Sequence, residues 1–396
     1  MKSLTILPPG GLSQRRAPAR RELAVATLLS VATIAVAFAI GPRGYAYEHT
    51  WEYVKMIEGS PSDAAAPFAY RILVPIVLQQ IPLPPKLGFF LISGLATLAT
   101  IVGLFALFRS LGLGFRASLI TSQLAGFSYP VSLYLAYWGM VDPAAHAFTV
   151  LALLGLARRR WTLASAALCL GVVTKEAVLL LVPLLGVNLW KRGEKGTGAR
   201  LVQGLLVLLP VAAFAGLRAA VHPMPGPWEL RDWHDLMRLW QLTAQDVRTM
   251  GPHVLLAGVV LRSYGFTWIM ALFGFRQQTV WRGTSVYLLL TGVVLCAVGA
   301  DLSRMLGFGF VGILIPTAVF LEHLGSRRGT TQYLVPLVVL SILQCGITLA
   351  GLNMGMSAAS IRLHRIATIA CALAGTLTVV IAHRVVRRTS GSEQQG

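Results

Sequence analysis

A small set of charged residues stands in or beside apolar runs, where charge is costly and therefore points to function. They are Glu48, just past the first apolar run; Arg71 in P-F-A-Y-R-I-L-V-P; Asp142 in W-G-M-V-D-P; the adjacent pair Lys175 and Glu176 in V-V-T-K-E-A; and Asp301 with Arg304 in G-A-D-L-S-R-M. Arg262 lies mid-run in V-V-L-R-S-Y-G. A carboxylate such as Glu48 or Asp142 can take the proton of an attacking hydroxyl. Arg71, Lys175, Arg304 and Arg262 are the kind of cation that holds a phosphate near a headgroup plane. Tyr47, Trp51 and Tyr53 cluster around Glu48 and Glu52, where aromatic rings can stack on sugar faces. The same residues also admit plainer roles. Asp301 and Arg304 are i and i+3 and can pair across one helical turn. Arg262 can extend its charged head to the interface. Lys175 and Glu176 are neighbours that cannot face each other on a helix, so each requires a partner from elsewhere in the chain.

The elements that must position these residues follow from composition. The chain has 396 residues, 55% hydrophobic and only 12% charged. Soluble domains carry about 25% charge, so lipid is the expected solvent for most of this chain. The formal net charge of +19 raises nucleic-acid binding as a possibility. The basic residues are strung between apolar runs rather than gathered in one patch, which excludes that class and fits a membrane protein oriented by its loops. Cys169, Cys296, Cys345 and Cys371 all lie inside apolar runs with no C-x-x-C pair, so neither a disulfide nor a zinc site is expected. No Walker loop and no GxGxxG opening a helix is present, which argues against soluble nucleotide binding. No DxD-like metal signature appears, and no metal or other cofactor is expected.

Uncharged runs predict an all-α, polytopic transmembrane bundle of about 12 spans. They fall at 23–41, 87–108, 117–136, 143–157, 161–174, 177–190, 201–220, 253–275, 283–300, 305–323, 331–351 and 366–383. The runs 161–174 and 177–190 are short and separated only by Lys175 and Glu176, so they are read as a helix pair or one broken segment whose turn is buried in protein. Residues 1–22 form a basic tail, 23–383 a single transmembrane domain and 384–396 a second tail. The N-terminal stretch is long and basic and no clear cleavage site follows, so the first run is taken as an uncleaved span. Basic residues gather at Arg20, Arg21, Arg158 to Arg160, Lys191, Arg192, Arg384, Arg387 and Arg388. The positive-inside rule then puts both termini in the cytoplasm of a bacterial inner membrane, with long periplasmic loops at 42–86 and 221–252. The piece from Arg71 to Ile81 is too short to span and is expected to lie in the interface. So is a Trp-rich segment of the second loop, with Trp228, Trp233 and Trp240. Glu48, Asp142, Lys175, Glu176, Asp301 and Arg304 then all face the outer side, as an outward-facing active site requires.

In order and spacing these motifs resemble the bacterial GT-C-type integral membrane glycosyltransferases, more narrowly the branch linked to cell-surface glycopolymer formation. The likeness is carried by Glu48 followed by Tyr53, by P-F-A-Y-R-I-L-V-P at 67–75, by T-K-E-A at 174–177 after the D-P at 142–143, and by D-L-S-R-M at 301–305. It covers most of the first 320 residues. The resemblance implies a polyprenyl-phosphate-linked sugar as donor, a glycan or glycolipid acceptor, and an acid of the first outer loop as base. Carried to this chain, that acid is Glu48. The usual residue is Asp, so Glu52 and Asp142 also stand as bases. Arg71, Lys175, Glu176, Asp301, Arg304 and Tyr53 would bind substrate. The sequence shows no soluble C-terminal domain of the kind many members carry. Two other classes use the same charges: a transporter or flippase of lipid-linked or small solutes, and a non-catalytic subunit of a polysaccharide assembly complex.

The basic-residue asymmetry makes a direct prediction. Cysteines introduced at Ser62 and Thr243 should react with an impermeant thiol reagent in intact spheroplasts. Labelling only after lysis would invert the topology.

Overall fold

The computed structural model describes residues 18–40, 45–46, 49–128, 137–192, 196–226, 262–278, 281–296, 302–325, 335–340 and 358–392, with single positions and pairs elsewhere. The chain folds as an all-α membrane bundle. Among the described residues four helices are long and apolar enough to cross a membrane, namely Arg20–Ala39, Pro85–Ser110, Thr197–Ala220 and Ile366–Arg384. Shorter apolar helices accompany them at Asp142–Ala157, Trp161–Thr174, Arg282–Cys296 and Phe310–Gly325. The expected run 305–323 is broken into helices Leu302–Gly307 and Phe310–Gly325. The break falls at Phe308 and Gly309 in an otherwise continuous apolar stretch. The last helix is longer than its apolar run, extending over Ala358–Ser392. The expected span 331–351 lies mostly outside the described residues, as does most of the loop 221–252.

The core runs through the middle of the chain. Helix Asp142–Ala157 packs between Pro85–Ser110 and Trp161–Thr174, and Phe310–Gly325 packs on Thr267–Gln277, Arg282–Cys296 and Phe115–Gly126. Leu153, Val172, Val178, Leu185, Phe310 and Ile313 belong to one continuous buried cluster. Lipid supplies no hydrophobic drive between helices, so close approach of small residues carries much of the packing. A Cβ built on Gly274 would lie 1.8 Å from the carbonyl oxygen of Pro316, and one on Gly312 would lie 2.5 Å from that of Ser285. These backbones touch because glycine is there. By contrast, the flank of Thr197–Ala220 leaves Leu201, Leu205, Leu208 and Leu209 more than half exposed, a face for lipid.

The described part of the segment 42–86 is a packed module. Helix Thr50–Glu58 turns Tyr53, Val54 and Met56 onto Phe68, Phe89 and Trp138. A short helix, Leu73–Gln79, follows at the piece expected in the interface. The Gln79 side-chain amide donates to the carbonyls of Met56 (2.6 Å) and Gly59 (3.3 Å), closing the loop on itself. Two strands of two residues, Tyr45–Ala46 and Tyr137–Trp138, pair in parallel. Thr50 Oγ1 donates to the Trp138 carbonyl at 2.9 Å. Gly139 follows with φ of +82°, and a Cβ there would meet Thr50 Oγ1 at 2.2 Å. Only glycine satisfies both the left-handed backbone and the close approach.

Side-to-side consistency can be read directly. The loops 42–86 and 221–252, expected on one face, touch: Ala66 N donates to Met224 O (3.0 Å) and Met224 N to Ala64 O (3.1 Å). At the other end, Arg109 binds Glu22, and Gly114 N donates to Glu322 (2.8 Å), joining ends assigned together to the opposite face.

The glycine packing sets a paired test. Gly274→Ala must displace the Pro316 backbone and should lower the melting temperature in detergent clearly. Gly94→Ala meets nothing within 4 Å and should be neutral or stabilising by up to about 1 kcal/mol. Equal melting of the two variants would remove the close approach as a packing determinant.

Candidate functional site

Helix Trp161–Thr174 ends in Val172, Val173 and Thr174, a β-branched run of weak helix formers. Lys175 then adopts an extended conformation (φ −161°, ψ 127°) before a 3₁₀ segment, Glu176–Leu181. The expected buried turn is therefore present. Its irregular backbone is satisfied by protein: Lys175 N donates to Gly171 O (2.8 Å), Val178 N to Lys175 O (3.1 Å), and the Tyr287 hydroxyl to Leu180 O (2.6 Å).

An extended residue sends adjacent side chains to opposite sides. Lys175 goes inward and Glu176 goes toward the first loop. Lys175 Nζ donates to Asp142 Oδ1 at 2.5 Å, with side-chain exposures of 2% and 4%. Glu176 takes a two-point grip from Arg71, whose Nε lies 3.0 Å from one carboxylate oxygen while its terminal nitrogen binds the other. Arg71 also donates to the Tyr53 hydroxyl at 3.3 Å. Burial pushes the Tyr53 phenol above its ordinary value, and Arg71 offsets this only in part. Tyr53 is thus a buried neutral partner of Arg71. The partners that Lys175 and Glu176 require are Asp142 and Arg71, two acids and two bases whose charges cancel.

Asp142 reaches this place because the Gly139 turn and the pinned Trp138 deliver it to the first turn of helix Asp142–Ala157. The acid also favours that end of the helix dipole. One turn on, His146 lies on the same face, its ring 4.8 Å from Phe308 and 4.9 Å from Phe310. Phe308 in turn lies under the Lys175 ammonium at 4.7 Å. Its position is set by the break between Leu302–Gly307 and Phe310–Gly325, and the Tyr264 hydroxyl braces that break by donating to Leu306 O and Gly307 O, both 3.1 Å. His146 was not anticipated among the candidates. Its signal in the sequence is the i, i+4 spacing from Asp142 in D-P-A-A-H.

The remaining candidates divide. Glu52 accepts from Ala65 N (2.7 Å) and from Lys55 (2.9 Å), tying helix Thr50–Glu58 to the following loop. Burial raises its carboxyl, but the Ala65 amide and then the Lys55 ammonium outweigh this and hold it below the usual value. Trp51 remains exposed and meets Trp138 edge to face at 6.0 Å. Glu48, Tyr47 and Asp301 lie outside the described residues, as do the side chains of Arg262 and Arg304. Described chain on both sides of Glu48 is fixed to the strand leading into Asp142: Tyr45 and Ala46 pair with it, and Thr50 bonds to it. Among the described residues no cluster of His, Cys, Asp or Glu could hold a metal ion.

No protein-family model and no curated protein matches the chain. Among solved structures it is similar to the arabinofuranosyltransferase AftD from Mycobacteria, at 16% identity and a TM-score of 0.46, over 92% of this chain and 27% of that one. It is also similar to ArnT from Cupriavidus metallidurans in the apo state, at 14% identity and a TM-score of 0.48, over 91% of this chain and 77% of that one. The chain thus spans little more than a quarter of the length of AftD. Both belong to the GT-C class that the sequence resembles.

The buried pair makes a stability prediction. Lys175→Met leaves Asp142 without its cation and should cost about 3–5 kcal/mol, seen as lost folded yield and earlier melting. Adding Asp142→Leu should restore much of that loss, because the double variant buries no orphan charge. A double variant no more stable than the single would show that the two residues are not coupled.

Proposed function

We propose that this protein is a membrane glycosyltransferase of the inner membrane. It moves a sugar from a polyprenyl-phosphate donor to a cell-envelope glycan or glycolipid on the periplasmic face, with both termini in the cytoplasm. The observation that carries the reading is the convergence of Arg71, Asp142, Lys175 and Glu176 from distant parts of the chain beneath a packed outer loop. Arg71, Asp142 and Lys175 are buried and Glu176 is half-buried, a costly arrangement in a membrane protein, and such groups generally serve a polar site. Their mutual pairing makes a rigid floor, and rigid support is what holds reacting groups in productive geometry.

In this reading Glu48 is the base. It lies in the three-residue stretch between a strand and a bonded threonine, both held to the strand that leads into Asp142. A carboxylate there can meet a lipid-held sugar and an acceptor arriving from the periplasm without either crossing the membrane. It takes the acceptor hydroxyl proton as the oxygen attacks the sugar carbon, and the lipid phosphate departs with the bonding pair. Arg304 and Arg262 remain candidates to hold that phosphate. Arg71 and Lys175 keep the floor in place through Glu176 and Asp142, and Asp142 is the second candidate base. Transport of a lipid-linked solute is the competing reading, favoured by the buried line Lys175, Asp142 and His146 inside a span.

Purified protein given a panel of polyprenyl-phosphate sugars and envelope glycan acceptors tests both. Glu48→Gln should fold and bind donor but transfer about 10²–10⁴-fold more slowly, while Glu52→Gln should be mild. Near-normal turnover by Glu48→Gln removes it as base. Uptake of a lipid-linked solute into liposomes without any transfer would replace the transferase reading with transport.

A further inference from the structure

Near the ion pairs, the cation Arg218 meets no carboxylate among the described residues. Arg71 is matched by Glu176, Lys175 by Asp142 and Lys55 by Glu52. Arg218, in the last turn of helix Thr197–Ala220, makes no hydrogen bond or ion pair with any described residue, and its Nε is buried. The guanidinium is nevertheless held in place. It lies over the Tyr70 ring at 4.6 Å and near the Phe214 ring at 5.1 Å. Stacking fixes the plane of a guanidinium and leaves its in-plane N–H donors unused. A half-buried cation with unused donors is costly unless an anion completes it.

The surroundings indicate which anion. Tyr70 is the neighbour of Arg71 and packs with Ala66 and Leu217 against Val173 and Val221, so Arg218 flanks the wall carrying the ion pairs. Below Arg218, on the same side of the helix, Val211 and Leu208 are exposed. An exposed apolar strip ending in a planar cation that no described carboxylate matches is complementary to a lipid, its chain along the helix and its phosphate at the end.

We propose that Arg218, laid on Tyr70 and Phe214, binds the phosphate of a lipid whose chain runs along the exposed face of helix Thr197–Ala220. The donated N–H bonds go to two phosphate oxygens, the fork geometry that guanidinium and phosphate share. The assignment rests on the transferase reading only for which lipid is bound. Binding is measured without transfer, so failure of one is distinguishable from failure of the other.

The test titrates purified protein with three probes: a polyprenyl monophosphate, phosphatidylglycerol in mixed micelles, and inorganic phosphate. The polyprenyl phosphate should bind, and Arg218→Gln should weaken it about tenfold or more, while Arg160→Gln leaves it unchanged. Lipid-free melting of Arg218→Gln should match the parent, which a purely structural stack would not allow. If that variant does not fold, Arg218→Lys keeps the charge, loses the planar fork, and should still weaken binding several-fold. Equal, Arg218-dependent binding of phosphatidylglycerol would support a lipid-phosphate site that does not select the polyprenyl chain. Unchanged lipid affinity in a folded Arg218 variant overturns the proposal. So does inorganic phosphate binding as tightly as the lipids, because the helix face would then contribute nothing.

Discussion

The buried pair between Lys175 and Asp142 is the constraint on which one end of the bundle depends. Neither charge has a solvent route, so each is tolerable only while the other is present. That requirement fixes the end of helix Trp161–Thr174 against the start of helix Asp142–Ala157. It also fixes what surrounds the pair. Phe308 must break its helix to lie beneath the ammonium, and Tyr264 must cap the carbonyls that the break releases. The second pair, Arg71 with Glu176, carries the constraint outward and makes the first loop a part of the bundle.

Energetically the arrangement separates two jobs. Apolar burial and glycine-mediated close approach hold the helices together, and they are indifferent to where substrate binds. The ion pairs contribute little net stability, because desolvation offsets most of their attraction. What they contribute is uniqueness of position. A loop held by a two-point guanidinium grip cannot slide as one held by methyl groups can.

How much of this could be read from the residues follows from which interactions are local. The long apolar helices, the buried turn at 175–176 and the meeting of the segments 42–86 and 221–252 follow from hydropathy and charge bias alone. So does the need of Lys175 and Glu176 for outside partners. Which partners they take is not local, because it depends on the extended backbone at Lys175, a conformation no spacing rule prescribes. The break at Phe308 was hidden for a similar reason, since nothing in the run 305–323 marks that position as polar. Arg218 is not marked by sequence because a charge closing an apolar run looks like any other orienting charge, and only its aromatic bed and the lack of a carboxylate among the described residues set it apart. His146 was more accessible, being one helical turn from Asp142.

The short bridge between Ala64–Ala66 and Met224 has a mechanical consequence. It joins the first loop to the chain leaving the most lipid-exposed helix in the bundle. Its uncharged stretch between Arg200 and Arg218 is 17 residues, about 25 Å, a little short of a typical hydrocarbon core of about 30 Å. The two guanidinium groups bracket that stretch, one at each end. Because the end that carries Arg218 is stitched to the loop beside Arg71, a displacement of the helix along its axis is passed to that loop through three residues of backbone.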